Sequence, residues 1–213
     1  MRREINSPAI RVQIPDDPFM HIDFSCSAFD GSLIDKTGNT YSCSESIEFW
    51  TNGFSSGTVS LGRSPINSIN FSMNFWMLST GNALKYPLIM GNRSENGIWL
   101  ECQGNSLRFK SNAGTLFSGI FEKSFTFGLT RSSTTLRFFL NGVFQQETML
   151  NASTENSGEI NIMSDDRMNH FLMYGKTLTD SAMSDLYSLT FQSSKGFDHL
   201  GYLNSIQSFS MET

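Results

Sequence analysis

Apolar and polar residues alternate with a period of two along much of this chain, which is the pattern of half-buried β-strands. The clearest run is INFSMNFWML, residues 69–78, in which every second residue is Phe or Met. Comparable runs, separated by short clusters of Gly, Asn and Ser, lie at residues 21–24, 46–50, 58–61, 87–92, 97–102, 106–111, 124–131, 158–164 and 168–174. This spacing predicts an all-β sandwich or barrel rather than alternating strands and helices.

A β-hairpin is predicted at TLRFFLNGVFQQE, residues 135–147, where one Asn-Gly pair separates two apolar runs. Asn-Gly favours a two-residue type I′ turn, because both central residues of that turn need positive φ. The residues of the first strand that we expect to face the core are Leu136, Phe138 and Leu140.

One short helix is predicted near residues 180–189, in the segment TLTDSAMSDLYSL. Thr179 is a good N-cap residue, and Asp180 would complement the positive end of the helix dipole. The residues that recur at helical spacing are Met183, Leu186 and Tyr187.

The length of 213 residues suits one large β domain. Three of the five prolines fall in residues 1–18, which predicts an extended N-terminal arm. We therefore divide the chain into this arm, a sandwich domain at residues 19–192, and a C-terminal strand or tail at residues 193–213.

Charge and composition exclude several classes of partner. The net charge is −5, and the Lys and Arg residues form no run, which argues against nucleic acid and against an anionic membrane surface. The first residues lack the apolar stretch of a signal peptide, and no apolar run is long enough to span a membrane. These features predict a non-secretory location, such as a virion, without membrane insertion.

Four segments occur in an order that resembles the laminin-G-like branch of the concanavalin A-like lectin and glucanase family. They are FDGSLIDKTGNTY (29–41), INFSMNFWML (69–78), FGLTRSSTTLRFFLNGVFQQE (127–147) and FLMYGKTLTDSAMSDLY (171–187). The resemblance implies an antiparallel jelly-roll β-sandwich with two sheets of six or seven strands, one of them concave. It also implies a ligand, usually a sugar or a protein surface, at the loops or the concave face.

The family that the chain resembles includes glycosidases, which need two carboxyl groups facing one cleft. Glu101 is the only acid in its strand, and Asp165 and Asp166 are adjacent, so they would point to opposite faces. GFSSG, residues 53–57, matches the serine-hydrolase pattern Gly-x-Ser-x-Gly, but the strand-like TVSLG follows it where a helix is needed. We interpret GFSSG as a loop between strands and predict that the protein is not an enzyme.

We expect no cofactor, although many family members hold a structural calcium near the opening turn. The acidic positions that the resemblance implies at the start of the last core strand are occupied here by Asn169 and His170. The remaining weak candidates for calcium ligands are Asp23, Asp30 and Asp35.

The three cysteines are odd in number and lack C-x-x-C spacing, which favours free, buried thiols. A disulfide between Cys26 and Cys43 stays open if the protein works outside the cell.

Sugar recognition needs a flat aromatic ring beside polar groups. Alternation turns one set of side chains away from the core on the strands at 97–102, 106–111 and 135–140. These candidate ligand-binding residues are Trp99, Glu101, Arg108, Lys110, Arg137 and Phe139. If the three strands share the concave sheet, they form a polar surface with two aromatic platforms. The alternative is an ordinary solvated face, or one that a loop or a partner chain covers.

Three functions remain open. The first is a non-catalytic binding and assembly module of a virion, such as an accessory, fibre or tail protein of a bacteriophage. Its partners would be other structural proteins or a surface glycan, and it could form a homo-oligomer. The others are a carbohydrate-binding domain of a larger secreted protein and a glycosidase with a non-standard site.

Overall fold

The computed structural model describes residues 18, 20–22, 32–34, 38–43, 48–50, 53–56, 58–63, 69–78, 81–95, 97–121, 124–150, 159–163 and 167–188. Apart from Pro18, the predicted N-terminal arm lies outside these residues, as does the whole C-terminal segment 193–213. The division of the chain into arm, sandwich and tail therefore stays a prediction.

Strands account for most of the described residues. They are β1 (Met20–Ile22), β2 (Ser32–Ile34), β3 (Thr40–Cys43), β4 (Glu48–Trp50), β5 (Gly53–Ser56), β6 (Thr58–Arg63), β7 (Asn70–Leu78), β8 (Lys85–Met90), β9 (Ile98–Gln103), β10 (Ser106–Ser111), β11 (Gly114–Ile120), β12 (Ser124–Ser132), β13 (Thr135–Leu140), β14 (Val143–Met149), β15 (Glu159–Met163) and β16 (Arg167–Tyr174). Residues 180–188 form a helix, α1.

The strands pair into two sheets, each eight-stranded within the described residues. Sheet A has the order β14-β13-β12-β7-β16-β5-β4, with β1 beside β16. Sheet B has the order β11-β10-β9-β8-β15-β6-β3-β2. Neighbouring strands run antiparallel, as between β7 and β12 or β9 and β10. The predicted all-β antiparallel sandwich with one short helix is confirmed, and each sheet is wider than the six or seven strands expected.

Aromatic side chains dominate the core between the sheets. The ring of Phe127 lies 5.5 Å from that of Phe75, 5.9 Å from Phe109, and 6.4 Å from both Phe117 and Phe138, measured between centroids. These five residues belong to one buried cluster. Three of them come from sheet A and two from sheet B, so the cluster joins the two sheets.

Four of the strands, β2, β3, β5 and β11, were not predicted by the hydrophobic pattern. In β11 the pairing with β10 skips Leu116, so a bulge breaks the alternation of apolar residues. Ser55 lies within β5, which ends at Ser56, and β6 begins at Thr58. The interpretation of GFSSG as a loop is therefore wrong, but the segment does not lead into a helix, which a nucleophile elbow requires.

The β13–β14 turn has the predicted conformation. Asn141 and Gly142 have φ of 52° and 73°, so both occupy the left-handed region that a type I′ turn requires. The Asn141 backbone N–H donates to the Thr126 carbonyl at 2.8 Å, and its side-chain Oδ1 accepts from the Thr126 N–H at 2.9 Å. These two bonds hold the turn against β12.

Helix α1 packs on the outer face of sheet A. Thr179 is the N-cap, because its Oγ1 accepts from the Ala182 N–H at 3.2 Å. A Cβ atom on Gly128 would meet the flexible end of the Met183 side chain and lie 3.2 Å from Phe139 Cβ, so α1 packs closely on this strand position. The residues of this second apolar cluster are Phe139, Leu172, Tyr174, Leu178, Met183 and Leu186.

Burial under α1 raises the pKa of the Tyr174 phenol above its usual range. Above about pH 10 the unfolded chain releases this proton while the folded protein keeps it, so the free energy of unfolding falls as pH rises. We expect this decline to approach about 1.4 kcal/mol per pH unit and to be absent in Tyr174→Phe. Urea titrations between about pH 9 and 11 measure it; equal slopes in both proteins would contradict the assignment.

Candidate ligand-binding site

The structure separates the six candidate residues into two groups. Trp99 lies opposite Lys110, and Glu101 lies opposite Arg108, on β9 and β10 of sheet B. Arg137 and Phe139 lie on β13, which belongs to sheet A. The expectation that all three strands share one sheet is wrong, because the chain passes from sheet B to sheet A between β11 and β12.

Phe139 points away from the central core, as the alternation on β13 indicates, but it is not an open platform. Only 1% of the residue is exposed, because it belongs to the cluster beneath α1. Sequence alternation gives the face of a strand, but it does not show what covers that face.

Arg137 connects β13 to β14 and α1. Its Nη1 and Nη2 atoms donate to the two carboxylate oxygens of Asp180, with Nη2 at 3.0 Å from Oδ2, and its Nε lies 3.4 Å from Glu147 Oε2. Its guanidinium also lies 4.5 Å from the centroid of the Phe144 ring. Because these contacts engage the guanidinium on several sides, Arg137 anchors the start of the helix.

The sheet B group is organised around a buried carboxylate, that of Glu101. Trp99 Nε1 donates to Glu101 Oε1 at 3.0 Å. Lys110 Nζ lies 3.4 Å from the same oxygen, and Arg108 Nε lies 3.6 Å from Oε2. A buried carboxylate needs such partners to offset its lost hydration. Glu101 therefore positions the side chains around it.

Two further residues, Tyr86 and Arg93, complete this group. The Arg93 guanidinium carbon lies 3.6 Å from the centroid of the Tyr86 ring and 5.3 Å from that of Trp99. Lys110 Nζ lies 5.9 Å from the Trp99 ring. These cations cover the rings, which leaves Trp99 7% exposed. We call this set the cationic patch: Tyr86, Arg93, Trp99, Glu101, Arg108 and Lys110.

The turn between β8 and β9 holds Arg93 in place. The Asn92 carbonyl accepts from the N–H groups of Glu95 at 3.1 Å and Gly97 at 2.8 Å. The Asn92 side chain accepts from the backbone and hydroxyl of Ser94 at 3.0 and 2.7 Å, which is an Asx-turn arrangement. A Cβ on Gly97 would lie 2.5 Å from the Asn92 carbonyl oxygen, so glycine is required there. The sequence gives no periodic signal that would place Arg93 over the sheet.

Positive charge exceeds negative charge in the cationic patch, which contains three cations and one carboxylate. Within the described part of the chain, the Arg93 guanidinium makes no ion pair, and its Nε is buried without a hydrogen-bond partner. The patch therefore offers hydrogen-bond donors rather than a nucleophile and a base.

Most of the predicted metal and thiol chemistry lies outside the described residues. Cys43 ends β3, but its partner in the possible disulfide, Cys26, lies outside these residues, as do the weak calcium candidates Asp23, Asp30 and Asp35. His170 is buried at a bulge in β16, with φ of 50°. Among the residues that are described, no group of three or more His, Cys, Asp or Glu could hold a metal ion, and Cys102 is buried.

Together the two sheets and the helix define a lectin-like antiparallel β-sandwich. Neither a protein-family profile nor a curated protein sequence matches the chain. Solved structures with this fold include the botulinum neurotoxin serotype D binding domain, with a TM-score of 0.61 and 16% identity over 81% of this chain and 52% of that one. A second is the botulinum neurotoxin DC binding domain in complex with rat synaptotagmin II. Its TM-score is 0.63, with 14% identity over 83% of this chain and 52% of that one.

A third similar structure is that of botulinum neurotoxin type C, whose cell entry depends on interaction with two ganglioside molecules. Its TM-score is 0.63, with 13% identity over 83% of this chain and 52% of that one. The chain thus spans about half the length of the structures it matches. At these identities the likeness shows the fold.

In the described residues, no helix is long and apolar enough to cross a membrane.

Proposed function

We propose that this chain is a non-catalytic glycan-binding module and that its binding surface is the cationic patch on the outer face of sheet B. The observation that carries the proposal is the difference between the two outer faces. Helix α1 closes the face of sheet A over Phe139, whereas Arg108 and Lys110 of sheet B keep 40% and 30% of their side chains exposed. The Trp99 ring lies beneath Lys110 and Arg93, and sugar sites likewise combine an aromatic ring with polar groups.

Two further observations support a binding role. Two of the similar structures are named as binding domains, and one of these is in complex with rat synaptotagmin II. Glu101, the acid that a glycosidase would need here, is already engaged by Trp99, Arg108 and Lys110. The laminin-G-like assignment agrees with this role and remains part of the proposal.

Lys110→Ala is expected to weaken glycan binding by about tenfold or more, since a charge-assisted hydrogen bond contributes roughly 1.5–3 kcal/mol. A glycan array identifies the ligand, and titration followed by tryptophan fluorescence measures its affinity. Lys176→Ala is the matched control, because Lys176 is an exposed lysine in the segment between β16 and α1. Equal losses in the two variants, or no binding of any glycan by the wild type, would contradict the proposal.

Assembly into a virion, as an accessory, fibre or tail protein of a bacteriophage, is the second candidate function. The observation in its favour is an apolar edge, since Val143 and Met149 of edge strand β14 are 61% and 71% exposed. Gln146 Nε2 of β14 donates to the Leu116 carbonyl of β11, the edge of sheet B, at 3.0 Å. Edge strands that expose apolar side chains pair readily with other chains. Recovery of the protein in assembled particles is the observation that would favour this function.

A further inference from the structure

We infer that the cationic patch recognises a negatively charged group of its glycan, a carboxylate or a sulfate ester, and that Arg93 is the residue that binds it. This inference rests on the proposed function and names the class of sugar. It depends on the charge balance of the patch, the stacking of Arg93, and the rigidity of the turn that carries it.

Within the described residues, the ion pairs of the patch do not involve Arg93. Glu101 is shared between Arg108 and Lys110, so the one carboxylate of the patch is already engaged by two cations. Among the described residues no ion pair joins Arg93 to Glu101 or to Glu95 in its own turn. An anionic group would remove an excess of positive charge that a neutral sugar would leave in place.

The stacking of Arg93 leaves its donors available in the plane of the guanidinium. The face of the group lies against Tyr86, with 3.6 Å between the guanidinium carbon and the ring centroid. Stacking of this kind occupies the face and leaves the N–H groups directed outward in the plane. The Nε atom is buried, so the donors that a ligand can reach are those of the two terminal Nη groups. A carboxylate or sulfate presents two oxygens that match this planar fork.

The turn reduces the entropy cost of binding. Asn92 accepts four hydrogen bonds from Ser94, Glu95 and Gly97, so the backbone on both sides of Arg93 is fixed. A donor held in position before the ligand arrives loses less conformational freedom on binding. Arg93 therefore has the preorganisation expected of a recognition residue.

Matched pairs of sugars test the inference with the full chain. One arm compares sialyllactose with lactose, and the other compares a sulfated N-acetyllactosamine with its unsulfated parent, each titrated by tryptophan fluorescence. We expect the acidic member of at least one pair to bind about tenfold more tightly than its neutral parent, as a charge-assisted contact predicts. The preference should decrease at high salt, because screening weakens exposed charge pairs.

Arg93→Ala should remove the preference for the acidic sugar, so that the acidic and neutral members of each pair bind with equal affinity. Arg93→Lys should retain part of the preference, since it keeps the charge and loses the planar fork. Arg131→Ala, on β12 of sheet A, is the matched control and should bind as the wild type does. Circular dichroism verifies that each variant is folded, and Arg93→Lys provides the test if Arg93→Ala is not.

Three results would overturn the inference, and they are distinguishable. If the wild type binds acidic and neutral sugars equally, or if the preference survives in Arg93→Ala, then Arg93 does not recognise an anionic group. Either result leaves the proposed glycan-binding function uncontradicted. Failure of every sugar to bind contradicts the proposed function and the inference together.

Discussion

Phe127→Ala should lower the free energy of unfolding by about 3–5 kcal/mol, the largest effect that we expect from a single substitution in this chain. The residue is fully buried, and its ring contacts four other aromatic rings from both sheets. Removing it leaves a cavity that the surrounding rings cannot fill without leaving their rotamers. Because a domain is stable by only about 5–15 kcal/mol, the variant would lose a large share of its stability.

Phe144→Ala is the control for this prediction, because the residue type, the substitution and the sheet are the same. Phe144 is 40% exposed and lies outside both buried clusters, so we expect it to cost at most about 1 kcal/mol. Urea titration of the two variants measures the difference, provided that the slope of free energy against urea is unchanged. Similar losses in the two variants would show that the aromatic cluster does not stabilise the sandwich as described.

The hydrophobic pattern predicted the faces of the longer strands correctly. On β13, Phe138 lies in the core and Arg137 does not. On β9, Leu100 lies in the core and Glu101 does not. Alternation determines these positions because successive side chains of a strand point to opposite sides whatever its neighbours are. The type I′ turn was also predictable, since Asn-Gly specifies its backbone locally.

The assignment of strands to sheets was not predictable from alternation. The pattern of β9 and that of β13 are equally compatible with either sheet, because each has one apolar and one polar face. The crossing from sheet B to sheet A after β11 separates Trp99 from Arg137. That crossing depends on long-range packing, which local sequence does not encode.

The covering of the outer faces was also not predictable. Phe139 is buried by α1, which lies about forty residues further along the chain. Trp99 is covered by Arg93, which belongs to a turn whose composition indicates only a loop. In both cases the covering residue comes from outside the strand, so the periodicity of the strand carries no information about it.

Gly142→Ala should lower the free energy of unfolding by about 2–4 kcal/mol, because it combines backbone strain with a clash. Gly142 has φ of 73°, a conformation that costs an L-residue about 1 kcal/mol or more. A Cβ atom there would lie 2.7 Å from Tyr187 Cβ and 3.1 Å from Ser184 Cα, both on α1. Ser184 Cα is a backbone atom, so the helix itself would have to move. Thermal or urea unfolding measures the loss.

Gly104→Ala separates the strain from the clash. Gly104 has φ of 59°, but the nearest atom to its added Cβ would be Asn82 Oδ1 at 3.4 Å, an ordinary contact. It should therefore cost only the backbone strain, about 1–2 kcal/mol. The excess loss in Gly142→Ala then reports the packing of α1 on the β13–β14 turn. If the two variants lose the same stability, α1 does not press against this turn. In that case other contacts would have to hold α1 over the outer face of sheet A. The choice of sheet B as the binding face depends on that face of sheet A being covered.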